Sequence, residues 1–495
     1  MERKLRIAII GAGLGGLSAA IRLAHQGHRV KVFESNNSVG GKANSFSKNG
    51  FRFDTGPSLL TMPFVLEELF SSVNESISDY IKLEKLKITC KYFYPDNTVL
   101  DAYSNIEKFA DEVSRKTDDS SKSILRYLNY SKRIYDLTAE LFLFKSFSEA
   151  STFTNMQALK ALININALDT MRSMHKANSK FFKDEKIIQL FDRYATYNGS
   201  NPFTAPATLN IIQHVEFGLG AFIPKEGIYS ISNSLYKLAE KKNVEFQFNT
   251  KIDEIIIEKD KVKGIKTNKN EEEFDVVISN SDVTNTYEKL IPNCNSKMYR
   301  RYKKLEPSTS ALVFYWGIKG IHDELETHNI IFSEDYELEF NELFNQKIIP
   351  NDPTTYIYIS SKYNSKDAPK DCENWFVMVN APYIENQNWS NEVEKTRINV
   401  MRKINSALGI NIESKIEFEE ILSPIEIERK TSSYKGSLYG ISSNSKMAAF
   451  LRQQNRSKEY KGLYFVGGSA HPGGGIPLVV LSGKIAADLI NKYES

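Results

Sequence analysis

An α/β protein built on a buried parallel sheet is predicted by three observations between Arg6 and Lys42. Ile7 to Ile10 is a short apolar run of the kind that is covered on both faces of a sheet. Gly11-Ala12-Gly13-Leu14-Gly15-Gly16 follows at once, so the spacing G-x-G-x-x-G falls where a strand turns into a helix. A second strand, Arg29 to Phe33, then delivers an acid, Glu34.

Each element has a physical reason. The helix from about Leu14 to about Gln26 carries Leu17, Ala20, Ile21 and Ala24 on one face, and Gly27 ends it. Gly11 and Gly13 allow a tight turn and close approach of backbone to a pyrophosphate, while Gly16 lets the helix lie on the strand. Phosphate then meets the free N–H groups and positive end of that helix. Glu34, with Ser35 beside it, stands where a carboxylate accepts both hydroxyls of an adenosine ribose and repels a 2′-phosphate. The ligand expected is an unphosphorylated adenine dinucleotide. Arg3, Lys4 and Arg6 before an apolar run also suit a secretory leader, but the glycine spacing, Arg22 and the later acid argue against one.

A chain of 495 residues exceeds one core, so two or three intertwined domains are expected. Charge is nearly balanced, 64 basic residues against 61 acidic, and gives no nucleic-acid footprint. Cys90, Cys294 and Cys372 are far apart, which suits a reducing, cytoplasmic compartment and offers neither a disulfide framework nor a metal site. No run of roughly 20 uncharged apolar residues would span a membrane. Phe (29) and Tyr (25) far outnumber Trp (3), which suits an elongated apolar cavity and ordinary core packing alike.

After Glu34, Val39-Gly40-Gly41-Lys42 brings a second glycine pair past the dinucleotide, with Lys42 available to its phosphates. The turn Phe53-Asp54-Thr55-Gly56-Pro57-Ser58 follows. Tyr92 to Asp101 reads as a hairpin around Pro95-Asp96-Asn97-Thr98. Ser104 is the expected cap of a helix through Ile106, Phe109 and Val113, and Asp118 to Ser121 opens a longer one through Leu141. Leu141 to Phe144, then Phe153, Met156, Leu159, Leu162 and Ile163, interleaved with Lys145 and Lys160, have the spacing of a helical cap packed on its own core. The same spacing serves a surface dipping into a bilayer.

Phe222 to Gly227 leads into a helix with Ile231, Leu235 and Leu238. Strands at Val244 to Phe248, Ile252 to Ile257, Val262 to Lys266 and Phe274 to Ser279 return the chain to the nucleotide domain, ending at Asn280-Ser281-Asp282. Aromatic strands at Ala311 to Gly317, Tyr356 to Ser360 and Trp375 to Ala381 are expected to floor a substrate chamber. Ser432 to Ser442 is a glycine-rich loop whose role is undecidable from sequence. Leu463 to Val466 is a last buried strand, followed by Gly467-Gly468-Ser469-Ala470-His471-Pro472-Gly473-Gly474-Gly475-Ile476-Pro477 and a helix from Leu478 to Tyr493. Backbone N–H groups there can point at ligand oxygens.

The order of G-x-G-x-x-G, Glu34, Gly40-Gly41-Lys42, F-D-T-G-P-S and H-P-G-G-G-I-P resembles the FAD-binding flavoproteins of the amine oxidase and phytoene desaturase family, along essentially the whole chain. The resemblance implies a Rossmann-like FAD-binding domain of the glutathione-reductase/amine-oxidase type, intertwined with a mixed-sheet substrate domain and a helical cap. Residues 1–72, 222–300 and 423–495 would form the first, 301–422 the second and 73–221 the cap, with its membrane contact. It also implies that Gly56, Pro57 and Ser58 lie near the isoalloxazine, that backbone near Ile252 contacts adenine, that Asn280 belongs to the site, and that Gly467, Gly468, Gly475, Ile476 and Pro477 hold the flavin. Two positions depart from the family: Glu226-Gly227 where relatives carry two glycines, and Ser469 where many carry an Asp for the ribityl chain.

The activity implied is desaturation of a lipid-soluble acyclic carotenoid at a peripheral membrane surface, with O2 or a quinone reoxidising the flavin. Removing hydrogen across a C–C bond beside a polyene requires an electron sink that side chains lack and flavin N5 supplies. His471 either takes the proton released or merely pins its loop. The triplet Gly473-Gly474-Gly475 resembles the 1-hydroxycarotenoid 3,4-desaturases, whereas phytoene and dehydrosqualene desaturases and terminal oxygenases more often carry Ala in its middle. A prenyl-protein chaperone of the same architecture is the non-enzyme alternative, although its nucleotide site is typically degenerate.

Overall fold

The computed structural model describes residues 3–146, 149, 152, 164–445 and 451–494. Phe153, Met156, Leu159, Lys160, Leu162 and Ile163, named above for the cap, lie outside the described residues.

Arg6–Ile10 runs in the middle of a five-stranded, all-parallel sheet, between Arg29–Phe33 and Val276–Ser279, with Glu245–Gln247 and Leu463–Phe465 at the edges. Ile7, Ala8 and Ile9 have no exposure, because helices cover one face and a small antiparallel sheet covers the other. The helix Leu14–His25 packs against the carboxyl-terminal helix Ile476–Tyr493 and against Tyr229–Lys241, in one core with Leu17, Ile21, Leu235, Val480 and Ile485. Strands separated by more than two hundred residues thus share one ladder, and the nucleotide domain closes from three pieces of chain.

The second layer is a seven-stranded sheet in the order Ile416–Leu422, Ser310–Lys319, Cys372–Ala381, Thr355–Ile359, His328–Ile331, Ile88–Phe93, Val99–Tyr103. It is antiparallel except where Ile88–Phe93 runs parallel to His328–Ile331. This corrects the expected extent of the cap: the hairpin within 73–221 belongs to the large sheet, since its alternation reports that the strand pairs but not with what. The helix Ile106–Lys116 is capped by Asn105 rather than Ser104, the Asn105 side chain accepting the Lys108 N–H at 2.8 Å.

The long helix Ser121–Phe142 starts at Ser120 as expected, and Leu141 at its end is buried. Phe142 and Leu143 line the internal cavity and Phe144 packs on the core, so this stretch faces the protein, in keeping with a packed cap. Among the described residues no helix is long and apolar enough to cross a membrane.

Candidate active site

A cavity of about 1920 Å³ lies where the carboxyl ends of the parallel strands meet the face of the seven-stranded sheet. Ligand pockets ordinarily measure roughly 300–1,000 Å³, so this one is large enough for a dinucleotide and a second, extended molecule. Gly11, Gly13, Leu14, Gly15, Glu34, Ser35, Gly41, Lys42, Gly56, Pro57, Ser58, Ile252, Asn280, Gly467, Gly468, His471, Gly475, Ile476 and Pro477 all line it. Ala12 and Gly16 do not, and both act from behind: Ala12 is fully buried, and a Cβ on Gly16 would stand 2.4 Å from the Gly11 carbonyl oxygen.

The helix starts at Gly13 and Gly475 both open onto this cavity, and neither carries a side-chain cap, which leaves backbone donors for anionic oxygens. A Cβ on Gly15 would lie 2.8 Å from the Gly467 nitrogen, so the amino-terminal turn and the carboxyl-terminal loop touch backbone to backbone. Asn280 sits between them and donates its amide to the Gly11 carbonyl at 3.2 Å. Gly40 and Gly13 bridge as neighbouring parallel strands do, which brings the second glycine pair against the first. Such a cradle of close backbone fits the pyrophosphate and flavin of FAD.

Glu34 is 5 % exposed and its carboxylate accepts the Ala12 N–H at 2.8 Å and the Asn36 N–H at 2.9 Å. The acid thus braces the glycine turn as well as facing the cavity. Glu34→Ala is expected to weaken FAD affinity by about tenfold to a hundredfold, the effect of losing one or two hydrogen bonds to a charged group; flavin titration of the variant apoprotein checks it.

Lys42 lines the cavity and also ties two of its loops together. Its ammonium donates to the carbonyl oxygens of Leu438 at 2.7 Å and Ser437 at 3.4 Å, tying the glycine pair to the loop left undecided above. Burial lowers its pKa to about 8 against the opposing pull of Asp282. Ser469, at the position where many relatives carry an Asp, lines the cavity, and its hydroxyl accepts the Val283 N–H at 3.0 Å while keeping its own proton to donate. At the other departure, Glu226 is exposed and the neighbouring backbone is held by Asp54, whose carboxylate accepts the N–H groups of Ile228 and Tyr229 at 3.0 Å each.

His471 is 2 % exposed and its Nε2 lies 2.8 Å from the Lys145 carbonyl oxygen. A carbonyl only accepts, so Nε2 carries the proton and links the H-P-G-G-G loop to the end of the cap helix. Burial pushes its pKa down to about 4, so the ring is neutral at pH 7.

Sequence reasoning missed several residues. Arg452 donates to the carbonyls of Tyr439 and Gly468, both at 2.8 Å, joining two cavity loops; it stands in no motif. Arg193, Glu216 and His328, all buried, form a polar corner of the cavity beside the half-buried Tyr356 of a strand expected to floor the chamber. Glu216 accepts the hydroxyls of Tyr194 and Tyr197 at 2.6 Å each.

Comparison with known proteins agrees with this geometry. Residues 14–491 match the family model described as flavin-containing amine oxidoreductase. A 1-hydroxycarotenoid 3,4-desaturase from a Flavobacterium species is 45% identical over 97% of this chain and 98% of that protein. A 4,4'-diaponeurosporene oxygenase of Staphylococcus aureus is 33% identical over 99% and 98%. Among solved structures, an oxidoreductase from Methanosarcina mazei superposes with TM-score 0.64 at 18% identity, covering 97% of this chain and 98% of its own. A putrescine oxidase redesigned in its cofactor binding superposes with TM-score 0.66 at 12% identity, covering 98% of each. The fold, the cradle and these likenesses make FAD the cofactor and the protein an FAD-dependent oxidoreductase. The chain belongs to the flavin-containing amine oxidoreductase family, and within it to the carotenoid desaturases and oxygenases with which it shares nearly its whole length.

Proposed function

We propose that this protein desaturates an acyclic carotenoid, removing two hydrogens from a C–C single bond beside the polyene, with a 1-hydroxycarotenoid as substrate and the 3,4 bond as the bond oxidised. The observation that carries the reading is 45% identity over 97% of the chain with a desaturase of that name, against 33% for the oxygenases. FAD, when bound, supplies the electron sink. The chain's own part is to hold a long apolar molecule in register and keep water from it. Ala311, Val313, Phe376 and Met378 present an apolar floor, and Tyr315 donates to the Thr55 carbonyl at 3.1 Å, fixing the Gly56-Pro57-Ser58 turn to that floor.

A substrate that dissolves in lipid must be taken from a bilayer, which supports a peripheral membrane contact; O2 or a quinone would accept the electrons. Purified protein loaded with FAD, given a 1-hydroxylated acyclic carotenoid, is expected to yield a product lighter by two hydrogens and redder in absorption. A product heavier by oxygen would assign the chain to oxygenase chemistry instead, and failure to retain any flavin would revive the chaperone alternative.

A further inference from the structure

In one corner of the cavity the apolar lining gives way to a hydrogen-bonded chain. Ser58 Oγ lies 2.6 Å from the Tyr356 hydroxyl, which lies 2.7 Å from His328 Nδ1. All three residues line the cavity, and His328 is 2 % exposed. Its other nitrogen, Nε2, has no hydrogen-bond partner among the described residues.

The direction of this chain follows from that atom. Burial, aided by the Arg193 cation, pushes the His328 pKa down to about 3, so the ring is neutral and carries one proton. A proton on Nε2 would be a buried donor with no acceptor, whereas a bare Nε2 is only an unmet acceptor, the less costly of the two. The proton therefore sits on Nδ1 and is donated to the Tyr356 oxygen. Tyr356 then donates to Ser58, and the Ser58 proton is left to face the cavity, with no acceptor among the described residues.

A hydrocarbon gains nothing from such a donor, and burying one beside it carries a desolvation penalty. Gly56 lies so close to the Lys42 carbonyl that a Cβ would stand 2.1 Å from its oxygen, so Ser58 belongs to a turn wedged between the nucleotide crevice and the sheet. In a 1-hydroxycarotenoid oxidised at the 3,4 bond, the carbon bearing oxygen is two bonds from the nearer reacting carbon. A group that recognises the hydroxyl must therefore stand at the reacting end of the cavity, where this turn is.

Resting on the carotenoid reading above, we propose that Ser58, oriented through Tyr356 and His328, donates a hydrogen bond to the terminal hydroxyl of the substrate and selects hydroxylated over unhydroxylated carotenoids. Ser58 is the contacting residue; Tyr356 and His328 are positioning residues.

The test measures affinity, by visible-absorption titration in detergent micelles, of the FAD-loaded protein for an acyclic carotenoid with and without a tertiary 1-hydroxyl group. The kcat/KM ratio for the same pair is measured alongside. The wild-type protein is expected to prefer the hydroxylated molecule by about tenfold or more, the worth of one buried hydrogen bond. Ser58→Ala and Tyr356→Phe are each expected to bring the ratio near one, and Ser58→Thr, which keeps the hydroxyl, to retain it. His328→Phe should lower the ratio and His328→Asn, which keeps a donor, should restore part of it. A merely structural role would move both affinities together and leave the ratio alone. Retention of the wild-type ratio in Ser58→Ala and Tyr356→Phe would overturn the proposal while leaving the desaturase reading intact; a wild-type protein that neither binds nor converts either carotenoid would remove that reading, and this one with it.

Discussion

Gly15→Val is expected to produce a protein that carries no flavin. The Cβ that any side chain adds at this position would stand 2.8 Å from the Gly467 nitrogen, 2.9 Å from Asn280 Oδ1 and 3.1 Å from the Gly467 Cα. Two of these three are backbone atoms of the opposite loop, and real Cβ atoms do not come as close as the nitrogen would and rarely as close as the Cα. Valine adds two methyl groups in the same direction, so the amino-terminal turn and the carboxyl-terminal loop must part, and the donors that both present to the cavity part with them. Gly13 offers a milder comparison, because its Cβ would meet the Asn280 amide nitrogen at 2.7 Å, the movable end of a side chain. Visible absorption of the purified variants, set against wild type, measures the effect. Full flavin occupancy in Gly15→Val would mean that the two loops do not close on one cofactor.

Acidification from pH 7 toward pH 4 is expected to remove about 3 kcal/mol of folding stability for each of two buried histidines. His471 is held down to about 4 and His328 to about 3, in both cases chiefly by burial. Both values lie below the ordinary 6.5, so between these limits the unfolded chain binds more protons than the fold. The contribution is therefore complete above about pH 6.5 and lost as pH falls through that window. His175, half buried and raised by its hydrogen bond to Asp192, acts in the opposite sense over the same range. The measurement is the pH dependence of the urea midpoint for wild type and for His328→Gln and His471→Gln. Each variant should show a shallower acid slope, and an unaltered slope would show that the ring accepts its proton inside the fold.

The nucleotide half of this protein was legible in its sequence because its constraints are local. A tight turn of backbone against phosphate admits only glycine, and strand, turn, helix, strand and acid are contiguous between Arg6 and Glu34, so the pattern survives without knowledge of the rest. The carboxyl-terminal loop was equally plain, since Gly467 to Pro477 compress a strand, a turn and a helix start into a few residues.

Tertiary structure decided what depends on partners far along the chain. Lys42 is placed beside the dinucleotide by its sequence, and only folding reveals that its ammonium also donates to the Ser437 and Leu438 carbonyls, nearly four hundred residues later. The hairpin at residues 88–103 announces two strands but not that the first pairs in parallel with His328–Ile331. The polar corner was only half legible: Ser58 stood in a motif and Tyr356 on a strand expected to floor the chamber, but His328 and Arg193 are unremarkable among their sequence neighbours, and only the fold sets a turn, two strands and a short helix together around an apolar cavity. A local motif is written by steric limits on adjacent residues, whereas a pocket's chemistry is written by which distant segments the sheets bring into register, and that information is not carried by any one stretch of chain.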